Sequence, residues 1–501
     1  MKRRSRPPLG TLLVVAAVAG GTVLAGSLPA QPLTRPRAQS VEVLGAVAVC
    51  PDLRQVKDVL ATRVSVGAAP LPAGRTEAGK GAVQAQRVTG DTPRQLLAVS
   101  EPGQVSVGLG TTTDKDGLVV DATGVLAAGL EVEQVTRGEQ GGDRGLAGLR
   151  CDAPHNDSWF VGGSTQLGDR TLLVLANVDD TPATLDVTVY AAASAAGLPD
   201  PRLGQGITVE PHTRLVLDLD TLAPDRTLLT VHVASRRGRV AAGLRHARAV
   251  GRVPLGVDWV PQSTPPSTRV VVPGLPQGPG LRVVLITNPG NDAVVATLRV
   301  TTGDGQFVPA GLDQLDVPAG TTTAVRIDKL TRDSALGVTV TTDGGPVVAG
   351  ALVLDSQTGP VREFGYTAGS APLSGPALLT DLVINRPTES TLILTAPDSA
   401  ATVVVTPIRV LGTTGTLPAA KTVRVPAGRT ATLKLSTFYP PGTETQLALE
   451  VRPQAGSGPV YAARYLRERG AHGPLTTLLD LQGPAQRVAR PPVVLDGRLG
   501  G

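Results

Sequence analysis

The sequence is poor in aromatic, sulfur-containing and charged residues. Aromatic residues are 2% of the 501 residues, charged residues are 18%, Cys occurs twice and Met once. A nucleic-acid-binding surface needs clustered basic side chains with interleaved aromatic ones, so this composition argues against a nucleic acid as partner. Apolar residues reach 41%, which is enough to build cores, and the length suggests about three to five domains.

The basic character of the chain is concentrated at its N-terminus. Residues 1–37 contain basic but no acidic residues, and an uncharged apolar stretch runs from Leu9 to Ala30. A membrane-spanning helix needs about 20 apolar residues, whereas a cleaved signal peptide has a shorter apolar region and a small-residue cleavage site. The length favours an anchor in the cytoplasmic membrane over a cleaved signal peptide. Both interpretations place residues 38–501 outside the cytoplasm, either anchored or secreted.

Two cysteines in an extracytoplasmic chain predict one disulfide, Cys50–Cys151. The bridge would close a loop of about 100 residues and, by the chain-entropy model, stabilise the fold by up to roughly 4.7 kcal/mol.

Three sequence markers recur at intervals of about 110 residues and indicate an internal repeat. The first is an apolar segment aligned on Gly129, Gly243, Gly350 and Ala463. The second is a turn followed by an alternating strand, read as VEPHTRLVLDL from Val209, VPAGTTTAVRI from Val317 and VPAGRTATLKL from Val425. The third is an apolar strand that ends in Asn177, Asn288 and Asn385.

The segments between the markers are short, rich in Val, Leu and Thr, and separated by Gly, Pro, Asn and Asp, which is typical of strands. Several such strands in about 110 residues predict an all-β fold of tandem immunoglobulin-like antiparallel β-sandwich units. The expected organisation is a signal peptide or membrane anchor (1–37), a divergent β unit with the disulfide (38–155), three further sandwich units (156–252, 253–362 and 363–483) and a tail (484–501).

The few aromatic residues cluster between these units, which suggests contacts between units. A stacking platform for a glycan or another ligand is the alternative interpretation. The residues are Trp159, Phe160, Trp259, Phe364 and Tyr366.

No nucleophile-elbow, zinc-protease, phosphate-loop or dinucleotide motif is present, so the sequence predicts no enzyme, no cofactor and no metal site.

Several motifs resemble an actinobacterial family of secreted or membrane-anchored envelope proteins of unknown function. They are Arg144-Gly-Leu-Ala147, Cys151-x-x-Pro154, Trp159-Phe-Val-Gly-Gly163, Val270-Val-Val-Pro-Gly274 and Val317-Pro-Ala-Gly320. The genes of that family often lie near envelope glycosyltransferases, so the resemblance implies a role in surface glycan assembly. We therefore expect a non-catalytic structural or binding protein of the cell envelope, whose partner is an envelope protein or glycan. A carbohydrate-binding accessory to an envelope glycosyltransferase is the alternative.

Overall fold

The computed structural model describes residues 39–51, 60–70, 81–88, 97–109, 117–194, 197–251, 253–330, 333–355, 363–384, 388–440, 443–483 and 487–490. Two compact units are distinguished, one of residues 42–487 and one of residues 1–41 with 488–501. Strands β1 (Gln39–Glu42) and β36 (Arg487–Arg490) pair with each other in a two-stranded sheet.

The other described strands form antiparallel sheets that pair into four sandwiches, numbered here in chain order. Sandwich one contains β2 (Gly45–Cys50), β3 (Leu60–Ala68), β4 (Val83–Arg87), β5 (Leu97–Val99), β6 (Gln104–Leu109), β7 (Leu118–Thr123), β8 (Leu130–Gly138) and β9 (Gly145–Arg150). Sandwich two contains β10 (Asp157–Val161), β11 (Asp169–Asn177), β12 (Ala183–Tyr190), β13 (Ile207–Val209), β14 (Thr213–Asp218), β15 (Thr230–Arg237), β16 (Ala241–Val250), β17 (Val253–Val260) and β18 (Gln262–Ser263).

Sandwich three contains β19 (Arg269–Leu275), β20 (Gly280–Asn288), β21 (Val294–Thr301), β22 (Gln306–Phe307), β23 (Leu315–Val317), β24 (Thr321–Arg326), β25 (Leu336–Asp343), β26 (Val348–Asp355) and β27 (Glu363–Ala368). Sandwich four contains β28 (Ala377–Ile384), β29 (Thr388–Ala396), β30 (Ala401–Ile408), β31 (Lys421–Val425), β32 (Arg429–Lys434), β33 (Thr445–Pro453), β34 (Tyr461–Gly470) and β35 (Gly473–Leu481).

One topology is repeated in the described part of each sandwich. The first, sixth, third and fourth strands form one sheet in that spatial order, which we call the 1-6-3-4 sheet. The fifth, second, seventh and eighth strands form the other, the 5-2-7-8 sheet. Sandwich two adds β18 beside its first strand, and in sandwich three β22 and β23 share the fourth position. The structure therefore confirms the all-β prediction, and the shared strand order supports the repeat.

The strands form because apolar residues alternate with polar ones at the two-residue period of a half-buried strand. In β12, for example, buried and half-buried residues alternate over the whole strand. The sandwich cores are built mainly from Val, Leu and Ala, as the low aromatic content requires. Short 3-10 helices at Gly124–Gly129, Gly141–Asp143, Pro201–Gly204, Leu219–Thr221 and Leu435–Phe438 connect strands within the described residues.

Two unit boundaries differ from the sequence prediction. We placed new units at 253 and 363, but β17 pairs with β16 of sandwich two and β27 pairs with β26 of sandwich three. Each is the eighth strand of the sandwich that precedes it, because it pairs antiparallel with the seventh strand of that sandwich. Sandwich one has the same arrangement, since β9 pairs antiparallel with β8.

Two of the repeat markers also need correction. Gly243, Gly350 and Ala463 lie in seventh strands, whereas Gly129 ends a 3-10 helix ahead of β8. The strand taken to end in Asn385 is β28, a first strand, and Asn385 itself lies outside the described residues.

The true counterpart of Asn177 and Asn288 in sandwich four is Ala396. The Asn288 carbonyl accepts from Gly320 N at 2.9 Å, and the Ala396 carbonyl accepts from Gly428 N at 2.8 Å. The asparagine marker does not locate the second strand of sandwich four, because the hydrogen bond between the backbone groups of Gly428 and Ala396 forms there without an asparagine side chain.

Among the described residues, no helix is long and apolar enough to cross a membrane. The predicted anchor, Leu9–Ala30, lies outside them.

Candidate functional site

The four sandwiches form a closed cycle within residues 42–487. In sandwiches one, two and three, the 1-6-3-4 sheet packs against the 5-2-7-8 sheet of the sandwich that follows in the chain. The 1-6-3-4 sheet of sandwich four packs against the 5-2-7-8 sheet of sandwich one, which closes the cycle. Between sandwiches one and two, Val49 and Val119 pack against Ala176 and Ala241. Between two and three, Thr230 Oγ1 lies 2.7 Å from Thr287 Oγ1, and between three and four, Thr430 Oγ1 donates to the Thr301 carbonyl at 2.7 Å. Between four and one, Ser65 Oγ lies 2.6 Å from Thr380 Oγ1.

The interface between sandwiches four and one is strongly polar. Glu133, which is buried on β8, accepts hydrogen bonds from Thr380 Oγ1 at 2.9 Å, Thr380 N at 3.1 Å and Asp381 N at 3.3 Å. Its carboxylate lies 3.7 Å from the buried guanidinium of Arg464. Arg63 Nε donates to Asp381 at 2.7 Å. Because the donors and acceptors come from both ends of the repeat array, these contacts join sandwich four to sandwich one.

The eighth strands of the sandwiches meet at one point, which we call the junction. Its centre is the carboxylate of Asp258 on β17, which is fully buried. Oδ1 accepts hydrogen bonds from Thr477 Oγ1 at 2.8 Å, from its neighbour Trp259 N at 2.9 Å and from Gly148 N at 3.2 Å. Oδ2 accepts from Tyr366 N at 3.3 Å. One side chain therefore binds donors from all four sandwiches.

The residues around this carboxylate occupy equivalent positions in the repeat. Gly148, Asp258, Gly365 and Thr477 pair with Val135, His246, Val353 and Leu466 of the adjacent seventh strands. Gly365 has no room for a side chain, since a Cβ there would lie 2.5 Å from Leu478 Cδ1 and 3.1 Å from Asp258 Oδ2. The repeat thus places one carboxylate, one hydroxyl and two glycines where four equivalent side chains could not fit.

Two carboxyl groups and one guanidinium are buried at the junction. Arg144 Nη1 donates to Glu363 Oε1 at 2.5 Å, and Arg144 Nη2 donates to the Pro474 carbonyl at 3.2 Å. Burial raises the pKa of Asp258 well above its usual value, and its hydrogen bonds act in the opposite direction. Burial also raises the pKa of Glu363, against the effect of Arg144, and the charge of Asp258 adds to that rise.

A cavity of about 400 Å³ opens beside Arg144. The turns that lead into eighth strands, together with the start of β17, supply Glu139, Gln140, Gly141, Arg144, Pro254 and His472 to its lining. Among the described residues, no group of three His, Cys, Asp or Glu side chains could hold a metal ion. The side chains of Glu139, Gln140 and His472 in its lining carry hydrogen-bonding atoms that a ligand could meet.

The structure buries all five aromatic residues proposed as an interface or ligand platform. Trp259 of sandwich two packs against Ala147 and Leu149 of sandwich one, a contact between units as the sequence predicts. Phe364 and Tyr366 pack against the core of sandwich two, to which Phe160 also belongs.

Trp159 is likewise buried and stacks on His232 with ring centroids 3.8 Å apart. These positions are packing positions, and none is an exposed platform.

The predicted disulfide is present. Cys50 and Cys151 are bonded, with Cα atoms 4.8 Å apart, and both side chains belong to the core of sandwich one. Asp258, Gly148 and Thr477 were not among the site residues predicted from the sequence. The one signal for them was an acidic residue inside an otherwise apolar strand, directly before Trp259.

A family model described as a family of unknown function, DUF5719, matches residues 104–436, which is more than half of the chain. The match runs from β6 to the helix Leu435–Phe438 and includes the junction strands β9, β17 and β27. No curated protein and no solved structure matches the chain.

Proposed function

The chain belongs to the DUF5719 family, and since the function of that family is unknown, we propose from the sequence and the fold that the protein is a non-catalytic structural or binding protein of the actinobacterial cell envelope. The observation that carries the proposal is the closed cycle with its buried junction. Asp258, Glu133 and Glu363 are buried carboxyl groups, and each is bound by at least one donor from another sandwich. This fits groups that hold an assembly together, because their hydrogen-bonding capacity is directed inward.

Two features support a location outside the cytoplasm. The basic residues and apolar stretch of residues 1–37 suit a membrane anchor or a secretion signal. The Cys50–Cys151 disulfide suits an oxidising compartment, since cytosolic thiols are kept reduced. The actinobacterial envelope is the setting of the family that the sequence motifs resemble.

The partner is an envelope protein or a glycan that binds the loops and turns at the ends of the sandwiches, where a rigid β scaffold presents its variable segments. A carbohydrate-binding accessory to an envelope glycosyltransferase is the second candidate. It is favoured by the cavity beside Arg144, where Glu139, Gln140 and His472 offer donors and acceptors suited to hydroxyl groups.

Cell fractionation and protease treatment of intact cells test the location. We expect the tagged protein in the envelope fraction, cleaved by external protease, with Cys50 and Cys151 resistant to alkylation until reductant is added. Val15→Arg interrupts the apolar stretch and should leave the protein in the cytoplasm with free thiols. Protease-protected cytoplasmic wild-type protein contradicts the proposal.

Binding to isolated envelope polysaccharide separates the two candidates. A glycan-binding accessory should lose binding in Glu139→Ala and His472→Ala. The matched control is His212→Ala, which changes an exposed histidine of sandwich two outside the cavity and should bind as the wild type does. Equal binding by all three variants removes the second candidate.

A further inference from the structure

A second polar cavity lies between sandwiches two and three, and Asp258 does not line it. His246 on β16 is 1% exposed, and its Nδ1 lies 2.7 Å from the hydroxyl oxygen of Tyr366 on β27. The cavity has a volume of about 70 Å³ and is lined by these two side chains together with Asp169 and Arg248. Gln166, which also lines it, is exposed, so the cavity reaches the surface there.

The hydrogen bonds around Tyr366 favour one tautomer of His246. Gly163 N donates to the Tyr366 hydroxyl oxygen at 3.2 Å, and His246 Nδ1 is the acceptor within reach of the hydroxyl hydrogen among the described residues, so we assign the hydroxyl as the donor to Nδ1. Burial and the positive charge of Arg248 lower the pKa of His246 to about 3, so the ring is neutral near pH 7. A neutral imidazole that accepts at Nδ1 carries its proton at Nε2.

The Nε2–H group of His246 belongs to a side chain that lines the cavity. It is buried and has no hydrogen-bond partner among the described residues. Oδ1 of Asp169 lies 3.9 Å away, which is too far for a direct hydrogen bond. One oxygen atom about 2.8 Å from each would accept from Nε2–H and donate to Asp169. A hydroxyl group has both capacities, whereas a carboxylate has no hydrogen to donate and an ammonium has no lone pair to accept.

The charges in the cavity favour a neutral ligand. Arg248 Nε donates to Asp169 at 3.1 Å, and with neutral His246 the three side chains carry no net charge. A neutral ligand leaves this ion pair intact, whereas a charged ligand would compete with one of its two members for the other. Leu285 and Leu352 provide apolar walls for carbon atoms. The volume equals a few water-sized spaces, so it holds a hydroxymethyl-sized group and leaves the rest of the ligand at the surface beside Gln166.

We propose that this cavity binds a hydroxyl group of a neutral sugar or polyol, which accepts a hydrogen bond from His246 Nε2 and donates one to Asp169 Oδ1. The inference rests on the proposed binding role and gives it a site and a ligand class. The two can fail separately, because polyol binding is measured on the purified protein and envelope location is measured in cells.

The test is a titration of the purified full chain, followed by the ¹⁵N resonances of the histidine side chains. The probes are glycerol, glucose, galactose and arabinose, with glucuronate and glucosamine as charged counterparts. We expect a saturable shift of His246 Nε2 with at least one neutral probe, weaker binding of both charged probes, and no shift of His212. Asp169→Ala should weaken binding at least about tenfold, the loss of one hydrogen bond to a charged acceptor.

Asp169→Asn preserves the shape of the side chain and keeps the test informative if Asp169→Ala does not fold. It should bind the neutral probe more weakly than the wild type, and His212→Gln should bind it equally well. The proposal is overturned if no neutral probe shifts His246 up to its solubility limit. It is also overturned if glucuronate or glucosamine binds more tightly than every neutral probe, or if Asp169→Asn binds as the wild type does.

Discussion

Arg63 and Asp381 are separated by 318 positions in the sequence, and their side chains form an ion pair at 2.7 Å. Arg63 belongs to the second strand of sandwich one and Asp381 to the first strand of sandwich four, so the pair crosses the interface that closes the cycle. Asp381 is almost completely buried, whereas Arg63 is 27% exposed. The neighbouring Glu133 and Arg464 are both buried, which makes them the better place to test how strongly closure stabilises the protein.

Glu133→Ala should destabilise the protein by about 3–5 kcal/mol, because it leaves Arg464 buried without its ionic partner and removes the acceptor of several hydrogen bonds across the interface. The free energy of unfolding from chemical denaturation gives the value. Glu101→Ala, an exposed residue of the same sandwich, should change it by no more than about 0.5 kcal/mol. Equal values for the two variants would show that closure of the cycle contributes little.

The raised pKa of Asp258 predicts that the protein loses stability as the pH rises. Its pKa is raised in the folded protein, so the folded state binds the proton more tightly than the unfolded state. The contribution is therefore complete below the ordinary carboxyl range, near pH 4, and decreases as the pH rises through the folded pKa. Asp258→Asn keeps the shape of the side chain without titrating, so its free energy of unfolding should depend less on pH.

Denaturation of the wild type and Asp258→Asn between pH 4 and pH 8 measures this difference. Glu363 titrates in both proteins, and its pKa should also fall in the variant because the charge of Asp258 is absent. Parallel pH dependences for the two proteins contradict the prediction.

Gly365→Ala should destabilise the protein by about 1–3 kcal/mol, because the added methyl group would meet Leu478 at 2.5 Å inside the packed junction. Gly142→Ala is the matched control, since a Cβ at Gly142 has no neighbour within 4 Å. Thermal or chemical denaturation distinguishes the two variants. A Gly365→Ala protein as stable as Gly142→Ala would mean that the eighth strands can separate without cost.

Removing the disulfide by Cys50→Ala and Cys151→Ala together should cost about 2–5 kcal/mol, since the bridge no longer restricts the unfolded chain. Adding a reductant should lower the denaturation midpoint of the wild type toward that of the double variant. The double variant itself should not respond to reductant, and a response there would identify another cause for the loss.

Much of the sandwich architecture could be predicted from local patterns. Alternating Val and Leu residues indicated the strands, and the turn-strand marker at Val209, Val317 and Val425 falls on the fourth and fifth strands of three sandwiches. The aromatic residues also pointed close to the junction, since Trp259 directly follows Asp258 and Tyr366 directly follows Gly365. These signals succeed because strand formation depends on neighbours two residues apart, which the sequence displays directly.

The boundaries between units were harder to predict from the sequence. The eighth strands β17 and β27 were assigned to the following units because a strand at a boundary shows the same alternation whichever sheet it joins. Only the pairing of β17 with β16 and of β27 with β26 decides the matter.

The sequence by itself determined the all-β class, the repeat of about 110 residues and the pairing of the two cysteines, because each depends on composition, period or count. The tertiary structure alone decided that sandwich four closes on sandwich one and that Asp258 is held by Gly148, Tyr366 and Thr477. These three donors lie about a hundred or more residues away on three other sandwiches. No local sequence pattern predicts these hydrogen bonds, since they form only once the sheet faces of all four sandwiches have packed together.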